Sequence, residues 1–329
     1  MKRSIWIMLM MCFTAGYLQC QQRIDFTDQF FKFDTVNSLG KRGFGLYDSG
    51  DNKYKIFDWN FKKTIEIPIP LGEGKGDIQS TSMDAFVYND HLYVHADYSD
   101  ITSIFNMKGQ FVKDFKLDIK QDYITCWNNK VFAFNRNFFI DNNGKPSRLC
   151  HIIDPQKMSI LKTVMLKERF TVPSKYAKNP NYLFSSFLFA ISDTGNIFIL
   201  DPANLDILQV SNDGDILSRT KLPFETEIYY RQFQIDGKSQ LVIDIRQSYH
   251  SFCVVDNYFY VLFYRGIRKK GNPNDIERKA SLLKIDKNGK YKELVFNGHF
   301  NILGENNKKL YLYERLDYYF VAVDLSNWK

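Results

Sequence analysis

The chain has 329 residues, of which 44% are hydrophobic and 16% aromatic, so its composition excludes a disordered protein and allows a large core. The formal net charge is +7, and the basic residues are scattered along the chain. Scattered charge of this size argues against a nucleic-acid-binding protein, whose basic residues would be concentrated in a patch or stripe.

Residues 1–20, MKRSIWIMLMMCFTAGYLQC, have the layout of a secretory signal peptide, because two positive charges precede the apolar run from Ile5 to Phe13 and small residues follow it. The run is shorter than the ~20 residues that span a bilayer. The sequence therefore predicts a signal over 1–20, one domain over 21–329, and an exported protein of the periplasm, cell surface or extracellular space.

Cys20 stands where a bacterial lipoprotein carries its lipidated cysteine. A lipid anchor at Cys20 is the one attachment to a membrane that the sequence suggests. Cleavage without lipidation, which would release a soluble exported protein, is the alternative.

A unit of four short strands recurs six times between residues 30 and 329. In each unit two strand-like runs flank a short polar turn, as in MDAFVY-ND-HLYVHA, and a third and fourth run flank another turn, as in SIFNMKGQFVKDF. Six four-stranded antiparallel meanders are the sequence form of a six-bladed β-propeller. A β-sandwich and two stacked β-domains are the alternative architectures.

The sixth unit lacks its outer strand, because the sequence stops in the turn that follows FVAVD. The segment QRIDFTD, residues 22–28, precedes the first unit and belongs to no blade. We therefore predict that this N-terminal strand completes the last blade, which closes the ring and removes an open strand edge. The fold class is all-β.

One blade resembles a known repeat. The segment LGEGKGDIQSTSMDAFVYNDHLYVHADYSDITSIFNMKGQFVKDFKL is similar to the NHL repeat of six-bladed propellers, and to exported, often lipid-anchored propellers of Bacteroidetes-like bacteria. Gly72, Gly74, Gly76 and Gly109 match the glycine-rich stretch and the x-x-x-G turn of that pattern. The resemblance implies a six-bladed propeller that is exported.

The long loops of a propeller indicate its working face. The turns between the first and second strands and between the third and fourth are short, and together they define the short-turn face. The loops between the second and third strands and the blade connections define the long-loop face. The long excursions all fall on the long-loop face, over 136–148, 167–181, 223–250 and 265–280. The sequence predicts that a ligand or partner meets this face near blades 3 to 5.

One excursion has a pattern of its own. EIYYRQFQIDGKSQLVIDIR reads as two strands around Asp236-Gly237, a strong hairpin signal. This hairpin can serve as a lid or partner surface, or as packed decoration.

Polar residues near the starts of inner strands, together with the basic segment 265–280, are the candidate ligand contacts. His, Arg, Tyr and amide side chains at a channel mouth suit a protein, a glycan or a small anionic ligand. A satisfied polar rim and a solvated loop are the alternatives. The candidate ligand-binding residues are Gln79, Arg246, Tyr249, His250, Arg265, Arg268, Asn297 and His299.

Familiar catalytic signatures are missing from the sequence: it has no GxSxG, HExxH, Walker or paired-carboxylate motif. His91 and His95 are ~13 Å apart along a strand, too far to share one metal ion, and are expected at the strand surface or edge. We expect no cofactor in a binding module of the cell envelope. The alternative is a gluconolactonase-like hydrolase or lyase with a divalent metal in the channel.

The stretch PLGEGKGDIQS, residues 70–80, has neither the spacing nor the strand–loop–helix setting of a phosphate-binding loop. We interpret it as the connector between blades 1 and 2, with glycines that allow a tight path. The body cysteines, Cys126, Cys150 and Cys253, form no disulfide or metal pattern and are expected to be small buried apolar residues.

Overall fold

The computed structural model describes residues 21–25, 33–97, 99–117, 119, 122–135, 147–168, 187–201, 204–224, 228–235, 238–245, 247–268, 276–314 and 318–328. Within these ranges the chain is a six-bladed β-propeller of four-stranded antiparallel blades, as the repeat predicts. One 3₁₀ turn, η1 (Gly40–Arg42), is the helical element of the described part. No helix in the described ranges has the length and apolar character to cross a bilayer.

The first three blades follow one another along the chain, each with its inner strand first. Their strands are β2 (Phe33–Ser38), β3 (Phe44–Asp48), β4 (Lys53–Phe57) and β5 (Lys63–Pro68); β6 (Met83–Tyr88), β7 (His91–Ala96), β8 (Ile101–Asn106) and β9 (Phe111–Lys116); β10 (Asp122–Trp127), β11 (Lys130–Asn135), β12 (Ser147–Asp154) and β13 (Ser159–Leu166).

The last three blades continue this order. Their strands are β14 (Leu188–Ile191), β15 (Ile197–Asp201), β16 (Asp206–Val210) and β17 (Ile216–Lys221); β20 (Gln247–Val255), β21 (Tyr258–Arg268), β22 (Ile276–Ile285) and β23 (Tyr291–Asn297); β24 (Phe300–Asn306), β25 (Lys309–Glu314), β26 (Tyr319–Asp324) and β1 (Gln21–Asp25). A separate hairpin between blades 4 and 5 consists of β18 (Ile228–Ile235) and β19 (Lys238–Ile245).

The N-terminal strand closes the ring, as predicted. β1 pairs antiparallel with β26, from Gln21 opposite Val323 to Asp25 opposite Tyr319. The guanidinium of Arg23 lies 4.1 Å from the centroid of the Tyr319 ring, a cation–π contact that joins the two ends of the chain. The outer edge of β26 is thereby covered.

The core is divided among the interfaces between blades. The described residues form six hydrophobic clusters, and each cluster combines side chains of two neighbouring blades. Between blades 1 and 6, for example, the rings of Phe44 and Phe320 lie 5.1 Å apart and those of Trp59 and Tyr311 lie 4.8 Å apart. Inter-blade packing therefore fixes the inner strands around the axis.

The hairpin turns have the geometry that their sequences predict. Asn89, Asp90, Asn128 and Asn129 all have positive φ, which is the conformation that a two-residue type I′ turn requires. These tight turns lie on the short-turn face.

The glycine-rich connector is a compact loop. Gly76 has a positive φ of 78°, as the prediction of a permissive path requires. Gly72 and Gly74 serve a different purpose: a Cβ on either would lie 2.5 or 2.7 Å from the Asp77 carboxylate, whose Oδ2 accepts a hydrogen bond of 3.0 Å from the Gly74 N–H. The loop is thus built around Asp77.

Residues 265–280 differ from the predicted loop. Residues 265–268 belong to β21 and residues 276–280 to β22, and the two strands stay paired out to Arg268 opposite Ile276. Blade 5 therefore extends further on the long-loop face than its neighbours. The segments 136–146, 169–186, 225–227 and 269–275 of the long loops lie outside the described residues.

Candidate functional site

The six inner strands surround a central channel with a cavity of about 1030 Å³. All six blades contribute lining residues. The lining combines aromatic rings and aliphatic side chains with amides and hydroxyls, and its polar members are Thr35, Asn37, Ser38, Lys41, Ser82, Asp84, Tyr88, Asn89, Tyr123, Thr125, Asn128, Asn129, His250, Ser251, Asn301 and Tyr313. Each inner strand runs from the long-loop face to the short-turn face, so the channel has one mouth on each.

Near the long-loop mouth, the rings of His250 and His299 both lie close to the ring of Tyr264, and of the two histidines His250 lines the cavity. The ring centroid of Tyr264 is 5.1 Å from that of His250 and 5.6 Å from that of His299. The Tyr264 hydroxyl donates a hydrogen bond to the backbone carbonyl of Phe300, which ties blade 5 to blade 6. The two histidines are therefore brought together at one place, as their positions before or near inner strands suggest.

A β-bulge places His250 in the channel. Opposite β21, the register of β20 shifts between Tyr249 and Ser251, so His250 is the extra residue. His250 is exposed and lines the cavity. The backbone N–H of His299 donates a 2.7 Å hydrogen bond to Oε1 of the buried Glu314.

Several polar side chains in the wall link neighbouring blades. Thr35 donates to the Thr81 carbonyl at 2.7 Å, and the Asn37 amide donates to the Met83 carbonyl at 3.1 Å. The Ser251 hydroxyl accepts from the Ile302 N–H at 3.1 Å. We call these side chains the blade braces, because their hydrogen bonds are made within the fold.

Asp84 is the buried carboxylate of the channel wall. Its Oδ2 accepts a hydrogen bond of 2.9 Å from the Ile124 N–H, and it lies opposite His95 in the β6–β7 pair. Burial raises the pKa of the Tyr54 hydroxyl well above its ordinary value, and the charge of Asp84 raises it further. The Tyr54 hydroxyl donates to Oδ1 of Asn37 at 3.1 Å, so Asp84, Tyr54 and Asn37 form one polar region of the wall.

Other lining side chains make no hydrogen bond or ion pair with the rest of the described chain. These are the side chains of Ser38, Lys41, Tyr88, Asn89, Thr125, Asn128, Asn129 and Asn301. Asn301 lies near the long-loop mouth, while Lys41 and the three turn asparagines lie at the short-turn mouth. These groups are available to a ligand.

Cys126 lines the channel and is half-buried, so it is only in part the buried apolar residue that the sequence suggested. Burial raises the pKa of its thiol to about 11. A thiol with so high a pKa is a weak nucleophile near neutral pH. Cys150 is buried and Cys253 half-buried, and all three are free thiols.

Three other predicted ligand contacts, Tyr249, Asn297 and Gln79, do not line the channel. Tyr249 is buried rather than at the rim: its hydroxyl donates to the Phe224 carbonyl at 2.6 Å. Asn297 is exposed at the end of the outer strand β23, opposite Lys279, and so does not begin an inner strand. Gln79 is exposed in the connector, away from the channel.

The remaining basic candidates give less information. Arg265 and Arg268 lie in β21, with Arg265 opposite both Gln247 and Lys279. Arg246 lies outside the described residues.

The described residues contain no group of three or more His, Cys, Asp or Glu side chains that could hold a metal ion. His95 is buried, not at the strand surface as expected, and its Nδ1 lies 3.2 Å from the Thr102 hydroxyl. His91 contacts the Asn89 carbonyl through its own Nδ1 at 2.7 Å. The two histidines therefore make separate contacts.

Tyr264, Glu314, Asp84 and Asn301 belong to the site but are not indicated by the sequence patterns. Tyr264 and Glu314 are on second strands, where a polar or aromatic residue is ordinary. Of these, Asp84 is the residue that the sequence could have indicated. An aspartate inside the apolar run MDAFVY is expected to be buried, and a buried carboxylate needs a hydrogen-bond partner.

No protein-family model matches the chain, and no curated protein matches it. Its fold is similar to that of solved structures. A member of the DUF4221 family from Bacteroides vulgatus has a TM-score of 0.57 at 10% identity, over 92% of this chain and 95% of that one. A "putative exported protein" from Bacteroides fragilis has a TM-score of 0.52 at 11% identity, over 93% and 95%.

At such identities these likenesses show the fold alone. Virginiamycin B lyase from Staphylococcus aureus has a TM-score of 0.49 at 12% identity, over 93% of this chain and 99% of that one, and this value carries no functional argument. The resemblance to NHL repeats stays a prediction.

Proposed function

We propose that this protein is an exported binding module of the bacterial cell envelope, and that its central channel holds a small, hydroxyl-rich ligand of the saccharide class. The ligand enters at the long-loop mouth, beside His250 and His299. The proposed entrance lies at blades 5 and 6, whereas the sequence analysis placed the ligand near blades 3 to 5.

The observation that carries the proposal is the chemistry of the channel lining. A cavity of about 1030 Å³ is at the upper end of the size of small-molecule sites, which are lined by apolar and aromatic groups with a few placed polar groups. Each asparagine amide offers two donors and an acceptor, which suits hydroxyls that donate and accept. The half-buried rings of Tyr88 and Tyr123 in the lining offer apolar surface to the faces of a sugar ring.

Charge in the lining is sparse. Besides His250, the carboxyl and amino side chains among the described lining residues are Asp84, whose Oδ2 accepts the Ile124 N–H, and Lys41, at the short-turn mouth. A highly charged ligand would leave most of its charge without a partner in this channel. This supports a ligand whose polar groups are mostly neutral.

Export is supported by the signal-like N-terminus and by the likeness in fold to a Bacteroides protein named as exported. A lipid anchor at Cys20 would hold the propeller at a membrane. The alternative of a metal-dependent hydrolase or lyase has no support from the described side chains, which contain no group of three or more potential metal ligands.

The test is a binding screen of the mature chain against neutral and acidic mono- to tetrasaccharides, followed by titration calorimetry on each hit. Asn301→Leu removes a channel amide that has no partner in the described fold, and Asn297→Leu is its matched control on the outer strand. We expect Asn301→Leu to weaken binding roughly tenfold or more, a loss of about 1.4 kcal/mol, and Asn297→Leu to leave it unchanged. Equal affinities for wild type and Asn301→Leu, or no saccharide bound by the wild type, would refute the proposal.

A further inference from the structure

At the short-turn mouth, the turns that line the channel all belong to blades 1 to 3. Lys41, Asn89, Asn128 and Asn129, all from blades 1 to 3, line the cavity there. The corresponding turns of blades 4 to 6 do not contribute to the lining. The channel therefore opens on this face toward blades 1 to 3.

The backbone around Lys41 is held in place. The Trp59 indole N–H donates to the Gly40 carbonyl at 2.9 Å, and the Leu39 N–H donates to the Gly43 carbonyl at 2.9 Å. Trp59 and Leu39 are buried, while the Lys41 side chain is exposed. The lysine thus projects from a braced turn at the rim.

The ion pair next to Lys41 in the sequence leaves the charge of Lys41 uncompensated. Arg42, the next residue, pairs with Asp90 of the blade 2 turn at 2.5 Å. This pair uses the acid of that turn and joins the η1 turn to blade 2. Lys41 itself forms no ion pair with any described residue, so the rim keeps one positive charge.

Three asparagines of tight turns line the cavity together with Lys41. Asn89, Asn128 and Asn129 have φ of 44°, 44° and 60°, and their amides have no partner within the described chain. An oxyanion accepts hydrogen bonds from donors such as amide N–H groups and an ammonium. Rigid turns lower the conformational entropy lost when such donors bind.

We propose that the short-turn mouth is a binding site for an oxyanion, a carboxylate, sulfate or phosphate group, with Lys41 as the charge and the turn asparagines as neutral donors. This inference rests on the proposed function, because it takes the oxyanion to be part of the saccharide that the channel binds. The channel ligand is then an acidic saccharide. A free inorganic anion is the other source of the same chemistry.

The experiment compares matched ligands on the mature chain by calorimetry. The probes are neutral oligosaccharides, the corresponding uronic acids, and inorganic sulfate and phosphate. The variants are Lys41→Met, Lys41→Arg, and the control Lys308→Met in the blade 6 turn on the same face. Lys308 is exposed and does not line the channel.

We expect the wild type to bind the uronic acid roughly tenfold more tightly than its neutral partner. Lys41→Met should abolish this preference and keep neutral binding, while Lys41→Arg and Lys308→Met should retain it. The preference should also fall as salt rises, because salt screens an exposed charge.

The outcomes separate the two proposals. Equal binding of neutral and acidic saccharides by wild type and Lys41→Met would overturn the oxyanion site and leave the proposed function standing. Binding of sulfate or phosphate alone, lost in Lys41→Met, would support the oxyanion site and overturn the saccharide ligand. Loss of the preference in Lys308→Met as well would overturn the assignment to Lys41.

Discussion

Asp84 accepts a hydrogen bond of 2.9 Å from the backbone N–H of Ile124, and so joins the inner strands of blades 2 and 3 in the channel wall. Both residues are buried. The relationship separates two kinds of polar group in the channel: those that brace the blades, and those, such as Asn301, that are available to a ligand.

Replacing Asp84 by alanine should destabilise the propeller. The buried N–H of Ile124 would lose its acceptor, which costs about 1–3 kcal/mol. Asp84→Asn keeps an acceptor oxygen and should recover most of this loss. Urea unfolding of the three proteins measures the difference, and an alanine variant as stable as wild type would show that this bond is not a brace.

The buried ion pair of blade 1 should give a pH-dependent contribution to stability. Lys55 Nζ lies 2.8 Å from Asp48 and 3.1 Å from Asp51. Burial lowers the pKa of Lys55, but the hydrogen bonds with the two aspartates outweigh it, so the pKa is raised above its ordinary value. A raised lysine pKa means stability that is fully present below the unfolded pKa of ~10.4 and is lost as the pH rises through the folded pKa.

Lys55→Met should therefore cost about 3–5 kcal/mol near pH 7, because it removes the cation that pairs with the buried carboxylate of Asp48. The gap between wild type and variant should narrow above pH ~10.4. Urea unfolding at neutral and alkaline pH tests this. The double variant Lys55→Met/Asp48→Asn should lose less than the sum of its single variants, and a gap independent of pH would contradict the account.

The closing strand should protect the protein from self-association. Removal of residues 21–25 exposes the edge of β26, with the apolar run Phe320 to Val323. We expect a lower melting temperature and concentration-dependent association in sedimentation velocity. Arg23→Ala is the control: it removes the cation–π contact with Tyr319, worth about 0.5–1 kcal/mol, but keeps the strand β1, and should stay monomeric if the wild type does. A truncated chain that behaves like the control would show that β1 is dispensable.

The fold could be predicted because its signals are local. Each blade is marked in the sequence by a short turn between two apolar runs, such as Asn89-Asp90 or Asn128-Asn129. The unassigned strand at residues 22–28 supplies the fourth strand that the sixth blade lacks. The hairpin around residues 236–237 could also be predicted from the sequence, and its two strands, β18 and β19, pair antiparallel as expected.

The site was harder to predict because it depends on contacts between blades. The bulge at His250 changes which side of β20 faces the channel, and nothing in QSYHSFCVV marks it. Tyr264 meets His250 and His299 only after blades 5 and 6 pack together. Tyr249, one residue before the bulge, faces the core for the same reason.

The thiol of Cys126 offers the most direct test of the central claim, that the channel holds the ligand. Because burial raises its pKa to about 11, alkylation should be slow near neutral pH and should accelerate as the pH approaches that value. Labelling of the Cys126 peptide, followed by mass spectrometry, should be slowed roughly tenfold by saturating saccharide that fills the channel. An unchanged labelling rate at saturation would place the ligand elsewhere and contradict the account.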